Sequence, residues 1–261
     1  MSEFADRLTH YETKCRQHLS RVRLSHVLAL GTLSGGQVQS EEIAGLIRAS
    51  FDDEILDRYE TKVRTVLHQL HLLSLKTNFE LFLNRLLTTV WTFQFPVLSL
   101  TIPRDMSLLV RDLATEFGHT IESTVDVRNF IIDKIVAVHG LQQLKTALQK
   151  TIRIALPHVL NHKNIHYWPQ IYTAFEVRHL VEHRDGRVDR EFVRKMALTW
   201  VQSSWGKHGI IPEPLEKVPV EEEDVIKTYE AMSEATSLLT TEVLRWSGQT
   251  NGPPQVENTA P

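Results

Sequence analysis

The chain has 261 residues, 42% of them hydrophobic and 23% charged, with a formal net charge of −3. That composition is ordinary for a globular chain burying a real core, and the length suits one large helical domain or two small ones. The slight acidic excess excludes a protein that coats long nucleic acid along a basic surface, so any nucleic-acid contact has to come from a local basic site.

Cys15 is the single cysteine, and one cysteine forms no internal disulfide, which points to a reducing compartment. The N-terminal stretch MSEFADRLTHYETK is polar from the start and carries no apolar signal core. The most apolar stretch, Leu81 to Leu100, is interrupted by Asn84, Arg85, Gln94 and Pro96, short of the roughly 18 uncharged apolar residues of a membrane span. A soluble, cytoplasmic protein is the expectation.

In chain order, residues 3–32 form a polar helix that ends at Ser34-Gly35-Gly36, and a short helix follows from Ser40 with Glu41 and Glu42 in its first turn. Residues 53–76 read as a longer helix with an uneven apolar face. A separate helix begins at Phe79, because Phe79, Phe82, Leu83, Leu86, Leu87 and Val90 share one face, and Pro96 marks its end. A shorter helix runs from Asp105 to Glu116, and Val97–Ile102 is short and apolar enough for a strand. Over 126–154, Ile131, Ile135, Val138, Leu141, Leu144, Leu148 and Ile152 recur every three or four positions, with Gly140 a potential break. Pro212 to Pro219 is a proline-punctuated connector. The last helix runs from Glu222 to Trp246 with Val225, Tyr229, Met232, Leu239, Val243 and Trp246 in its stripe and Ala235 filling the gap, and the tail that follows is too polar to pack. Several amphipathic helices with no period-two run mean an all-α helical bundle.

The informative segment lies between the connector and the long patterns before it. A helix starting near Pro169 and ending by His183 carries Trp168, Ile171 and Phe175 as an apolar stripe, and Arg178 and Glu182 continue that stripe. A charged pair in line with a core face is either paired, lines a cleft or faces another subunit. Gly186 is a natural helix stop, and Asp189 is placed to cap a new helix with Glu191 in its first turn. Arg178 and His183 stand about 140° apart on a regular helix, so they converge only where the helix ends or where a second copy faces the first.

Arg178-His179-Leu180-Val181-Glu182-His183, an arginine and a histidine closing a helix, resembles the R-x(4–6)-H motif of the HEPN superfamily. The continuation Arg184-Asp185-Gly186-Arg187-Val188-Asp189, the helix NFELFLNRLL at 78–87 and the long terminal helix are similar to that family as well. The family often has asparagine directly after the arginine, where this chain has His179. The resemblance spans roughly residues 55–247. It implies a HEPN-type bundle at 51–247 behind an N-terminal helical extension at 1–50, with a disordered tail at 248–261. It also implies metal-independent RNA cleavage without a cofactor, commonly in a homodimer, in a toxin or defence system with a possible antitoxin partner. His183 is then the acid–base group, since free histidine titrates near about pH 6.5, and Arg178 stabilises the phosphate. His179 and Glu182 orient them or the substrate, and Arg184 and Arg187 contact the substrate. Within 176–195, six basic groups stand against five acidic ones, so this is a local phosphate site at best.

Two other readings compete. A catalytically inactive bundle of the same type would use the motif face to bind a protein or RNA. His179-x-x-Glu182-His183 also has the inverted zincin spacing, which needs a third ligand such as Glu221, Glu222, Glu223 or Glu242. Elsewhere the plain readings prevail. His158, His162 and His166 are surface or capping histidines, Trp200 and Trp205 are core, Glu221–Asp224 is an acidic first turn, and Cys15 is inert.

Overall fold

The computed structural model describes residues 2–35, 53–98, 141–162 and 165–250. Among these residues seven α-helices appear: α1 (Ser2–Gly35), α2 (Asp53–Leu98), α3 (Leu141–Ile152), α4 (Leu156–Val159), α5 (Tyr167–Arg184), α6 (Arg190–Met196) and α7 (Glu222–Thr250). A short 3-10 helix (Ser204–His208) and two-residue strands β1 (Asn161–His162) and β2 (Ile165–His166) join them. The described chain is all-α, as the periodicity requires, and no described helix is long and apolar enough to cross a membrane.

The chain forms two compact units, one of residues 1–14, 80–162 and 235–261, the other of residues 15–79 and 163–234. In the first unit the stripe predicted from Phe82 to Val90 is buried, with Leu83, Leu86, Leu87 and Val90 fully enclosed. Phe4 meets Phe93 edge-on at 5.7 Å, and Arg7 lies over the Phe93 ring at 5.0 Å. α3 buries Leu141, Leu144, Leu148 and Ile152, which are spaced to fall on one side of a helix. α4 ends at Val159 with His158 exposed, so the histidines at 158, 162 and 166 do not share a helix.

The second unit carries the motif. Phe79 and Phe175 meet edge-on at 6.4 Å and join α2 to α5, while Trp168 stacks on Tyr172 at 5.6 Å. Trp200 and Trp205 are fully buried, as expected, and each indole N–H finds a carbonyl, Gly209 at 3.1 Å and Pro219 at 2.9 Å. Those two bonds, with Gly206 so close to the Val201 carbonyl that a Cβ would sit 2.8 Å from it, fix a segment without regular helix. Cys15 is buried with its thiol 3.8 Å from the Asn78 carbonyl, in keeping with an inert residue.

Two expectations need correction. The predicted helices at 53–76 and from Phe79 are one continuous helix of 46 residues. The polar residues at the join bond back within it: Thr77 Oγ1 donates to the Leu73 carbonyl at 2.9 Å and Asn78 Nδ2 to the Ser74 carbonyl at 2.8 Å. Val97 and Leu98 belong to that helix and not to a strand, and Pro96 lies in its last turn. The connector Pro212–Pro219 is also more than a linker. Val188 N–H donates to Glu216 O at 2.9 Å, Leu215 N–H to Val188 O at 2.9 Å and Val218 N–H to Gly186 O at 2.9 Å, which ties the connector to the end of the motif. The predicted short helices from Ser40 and Asp105, the repeat at 126–140, residues 99–102 and residues 251–261 of the expected tail lie outside the described residues, while 247–250, expected in that tail, continue α7.

Candidate functional site

α5 presents the motif because its sequence changes character along its length. Trp168, Ile171, Ala174, Phe175, Val177 and Leu180 are buried, and burying each large apolar side chain stabilises by about 1.5–3 kcal/mol. The last turn, from Val181 to Arg184, has no such residue in the core. The helix then stops as Gly186 allows. Asp185 and Gly186 both take left-handed backbone angles, φ +51° and +73°, and the Gly186 N–H closes on the Leu180 carbonyl at 3.0 Å. Asp189 restarts the chain as α6, its carboxylate accepting the Phe192 N–H at 2.7 Å. Asp189→Ala is expected to cost about 0.5–2 kcal/mol of stability, read from the thermal midpoint. An unchanged midpoint would mean that the cap does not form in solution.

Within that last turn the predicted residues come together through one carboxylate. Arg178 Nη2 is paired with Glu182 Oε1, and Glu182 Oε2 lies 3.6 Å from His183 Nε2. The side chains of Arg178 and Glu182 are only 19% and 24% exposed, whereas that of His183 is 59% exposed. This answers why a charged pair continues an apolar stripe: the guanidinium and carboxylate neutralise each other at the edge of the core. It also answers how Arg178 and His183, on different sides of a helix, share a site: Glu182 stands between them. His179 is exposed, its ring 4.7 Å from that of His183. Desolvation, then the neighbouring His183, lowers the His179 pKa and keeps that ring neutral near pH 7.

The flanking arginines are less available than the sequence implies. Arg184 Nε pairs with Asp189 at 3.1 Å, and Arg187 Nη1 donates to the Leu215 carbonyl at 3.0 Å. Asp185 pairs with Lys217 at 3.0 Å. Lys195 sits between Glu176 at 3.1 Å and Glu191 at 3.3 Å. The exposed ion pairs among these, Arg184 with Asp189 and Asp185 with Lys217, are weak, about 0–1 kcal/mol each.

Among the described residues no three His, Cys, Asp or Glu side chains are placed to hold a metal ion. Of the glutamates weighed as a third ligand, Glu221 and Glu223 pair with Lys207 at 3.2 and 3.0 Å and Glu242 pairs with Arg245 at 2.7 Å.

No family model, no curated protein and no solved structure matches this chain. The site therefore has to be read from its own geometry.

Sequence reasoning missed a buried polar network. Asp224, read as one member of an acidic first turn, is fully buried. Its Oδ1 accepts the Ser204 hydroxyl at 2.6 Å, and its Oδ2 faces His208 Nε2 at 3.1 Å and accepts the Glu221 N–H at 2.9 Å. Buried Gln170 completes it, accepting the Ser204 N–H at 2.7 Å and donating to Thr228 Oγ1 at 3.0 Å. Burial opposes the Lys207 charge, but Glu223, Asp224 and Glu221 outweigh it and raise the Lys207 pKa. The three-residue step from Glu221 to Asp224 has capping-box spacing, and that was the signal available. Beside the network lies a cleft of about 710 Å³ lined by Arg16, Tyr167, Gln170, Ser204, Lys227 and Glu234 among others. None of Arg178, His179, Glu182 and His183 lines it. They stand at the C-terminal end of α5, and the cleft is at its N-terminal end.

Proposed function

We propose that the chain is a metal-independent endoribonuclease of HEPN type acting at Arg178, Glu182 and His183. The observation that carries this reading is the single carboxylate of Glu182, which gathers the arginine and the exposed histidine at the end of α5. His183 takes the proton from an RNA 2′-hydroxyl, the 2′-oxygen forms a bond to phosphorus, and the bond from phosphorus to the 5′-oxygen breaks. The leaving 5′-oxygen takes a proton from water, and the product is a 2′,3′-cyclic phosphate. Arg178 turns its guanidinium from Glu182 to the phosphorane oxygens as their charge grows. Glu182 orients His183, and neutral His179 accepts a hydrogen bond from the substrate. Arg184 and Arg187 hold flanking phosphates by exchanging their present surface partners. A homodimer that brings two motifs together, in a toxin or defence system with an antitoxin partner, follows from the resemblance.

One observation favours a second reading. Arg178, Arg184 and Arg187 all have partners within the chain. A bundle whose motif arginines are already paired suits an inactive module that binds a protein or RNA partner.

Substrate chemistry separates the two. Labelled RNA should be cut in EDTA to fragments ending in 2′,3′-cyclic phosphate, and the same sequence with 2′-deoxy sugars should survive. Binding of both nucleic acids without cutting would leave the module. Equal cutting of the deoxy strand would exclude attack by the 2′-hydroxyl.

A further inference from the structure

Three histidines meet inside the second unit, away from the motif. His26 on α1 lies 5.2 Å from His68 and 4.6 Å from His71, ring centre to ring centre, both on α2. His26 is 1% exposed and His68 8%. The Nε2 atoms of both are buried with no hydrogen-bond partner. His68 is held by its other nitrogen to the Val220 carbonyl at 3.1 Å, and His71 stands between the Leu67 carbonyl at 2.7 Å and the Ser25 hydroxyl at 3.2 Å. Two partnerless buried nitrogens are costly, and a leucine at position 26 would avoid one of them. A fold that keeps them there has gathered three imidazoles between two helices.

We propose that this cluster is an acid-operated latch, in which protonation of His26 and His68 releases the α1 segment of residues 15–35 from α2. Two added charges about 5 Å apart repel in a buried site that offers His26 no carboxylate. The groups that act on His26 are His71 and His68, after burial itself, and together they lower its pKa to about 4. His68 is lowered chiefly by burial, against the opposing pull of the Val220 carbonyl, Glu222 and Asp224 and with the help of Arg64. The closed state thus binds fewer protons than the open one between about pH 6.5 and about pH 4. Its stability is complete above that window and falls as pH drops through it.

Hydrogen exchange of the full chain at pH 7.5 and 5.0, corrected for intrinsic rates, tests the latch. His26 alone should raise the opening constant of residues 16–30 by about 30-fold at pH 5.0, while α5 and α7 keep their protection. His26→Leu should cut that increase by about tenfold or more. An unchanged α1, an equal response in the variant, or simultaneous opening of α1, α5 and α7 would overturn the proposal. Should the variant fail to fold, the wild-type ring resonances decide. His26 must stay neutral through pH 6.5 while α1 is closed, and its titration there with α1 protected would sink the latch.

Discussion

Asp224→Ala is expected to lower the unfolding free energy by about 3–5 kcal/mol, because it removes one buried charge on which several groups converge. The carboxylate is fully buried and serves the Ser204 hydroxyl, His208 and the Glu221 N–H, with the Lys207 ammonium at 3.8 Å. Alanine leaves the Ser204 hydroxyl, His208 Nε2 and the Glu221 N–H without that acceptor, while Lys207 keeps Glu221 and Glu223, and the cost is that of stranding the three and not the net worth of any one bond. The same loss should loosen the 204–208 turn and the start of α7, which Asp224 ties together. Urea denaturation measures it. A change below about 1 kcal/mol, the scale of an exposed ion pair, would mean that Asp224 is hydrated in solution.

His183→Ala should reduce RNA cleavage by about 10²–10⁴-fold, the usual contribution of a positioned general base. Arg178→Ala should cost about 10²–10³-fold, as loss of one charge-stabilising donor does. The test is clean because His183 is 59% exposed and its removal should change stability by no more than about 0.5 kcal/mol. Arg178→Ala leaves Glu182 without its guanidinium, so its unfolding curve has to be measured alongside. Rates that stay within about twofold of wild type in both folded variants would take the chemistry away from this cluster.

The helical stripes were legible because they follow the 3.6-residue period: Phe79 to Val90 and Leu141 to Ile152 are buried where the pattern places them, and so are Val225, Met232, Ala235, Leu239 and Val243, while Tyr229 and Trp246 of that last stripe are half-buried. The Asp189 cap and the Gly186 stop were legible because only a few residue types satisfy those backbone demands. What escaped depends on contacts far apart in sequence. The helices at 53–76 and from Phe79 run together as α2, and Thr77 at their join bonds by its side chain to the Leu73 carbonyl. The connector's hold on Gly186 and Val188 is made by backbone atoms, which no side-chain pattern encodes. His26 and His68 lie on different helices, and the link from Gln170 through Ser204 to Asp224 runs across 54 residues of chain. The site itself was half legible. The spacing put Glu182 one turn after Arg178 and beside His183 at the helix end, but that Arg184 and Arg187 are taken up by Asp189 and Leu215 was not visible from charge alone.

The most direct test of the ribonuclease reading is incubation of freshly purified protein with a mixed set of labelled RNAs in EDTA. The account expects cleavage to cyclic-phosphate ends that persists with the chelator and disappears in Arg178→Ala and His183→Ala. No cleavage of any RNA, or cleavage that returns only with a divalent metal, would contradict it.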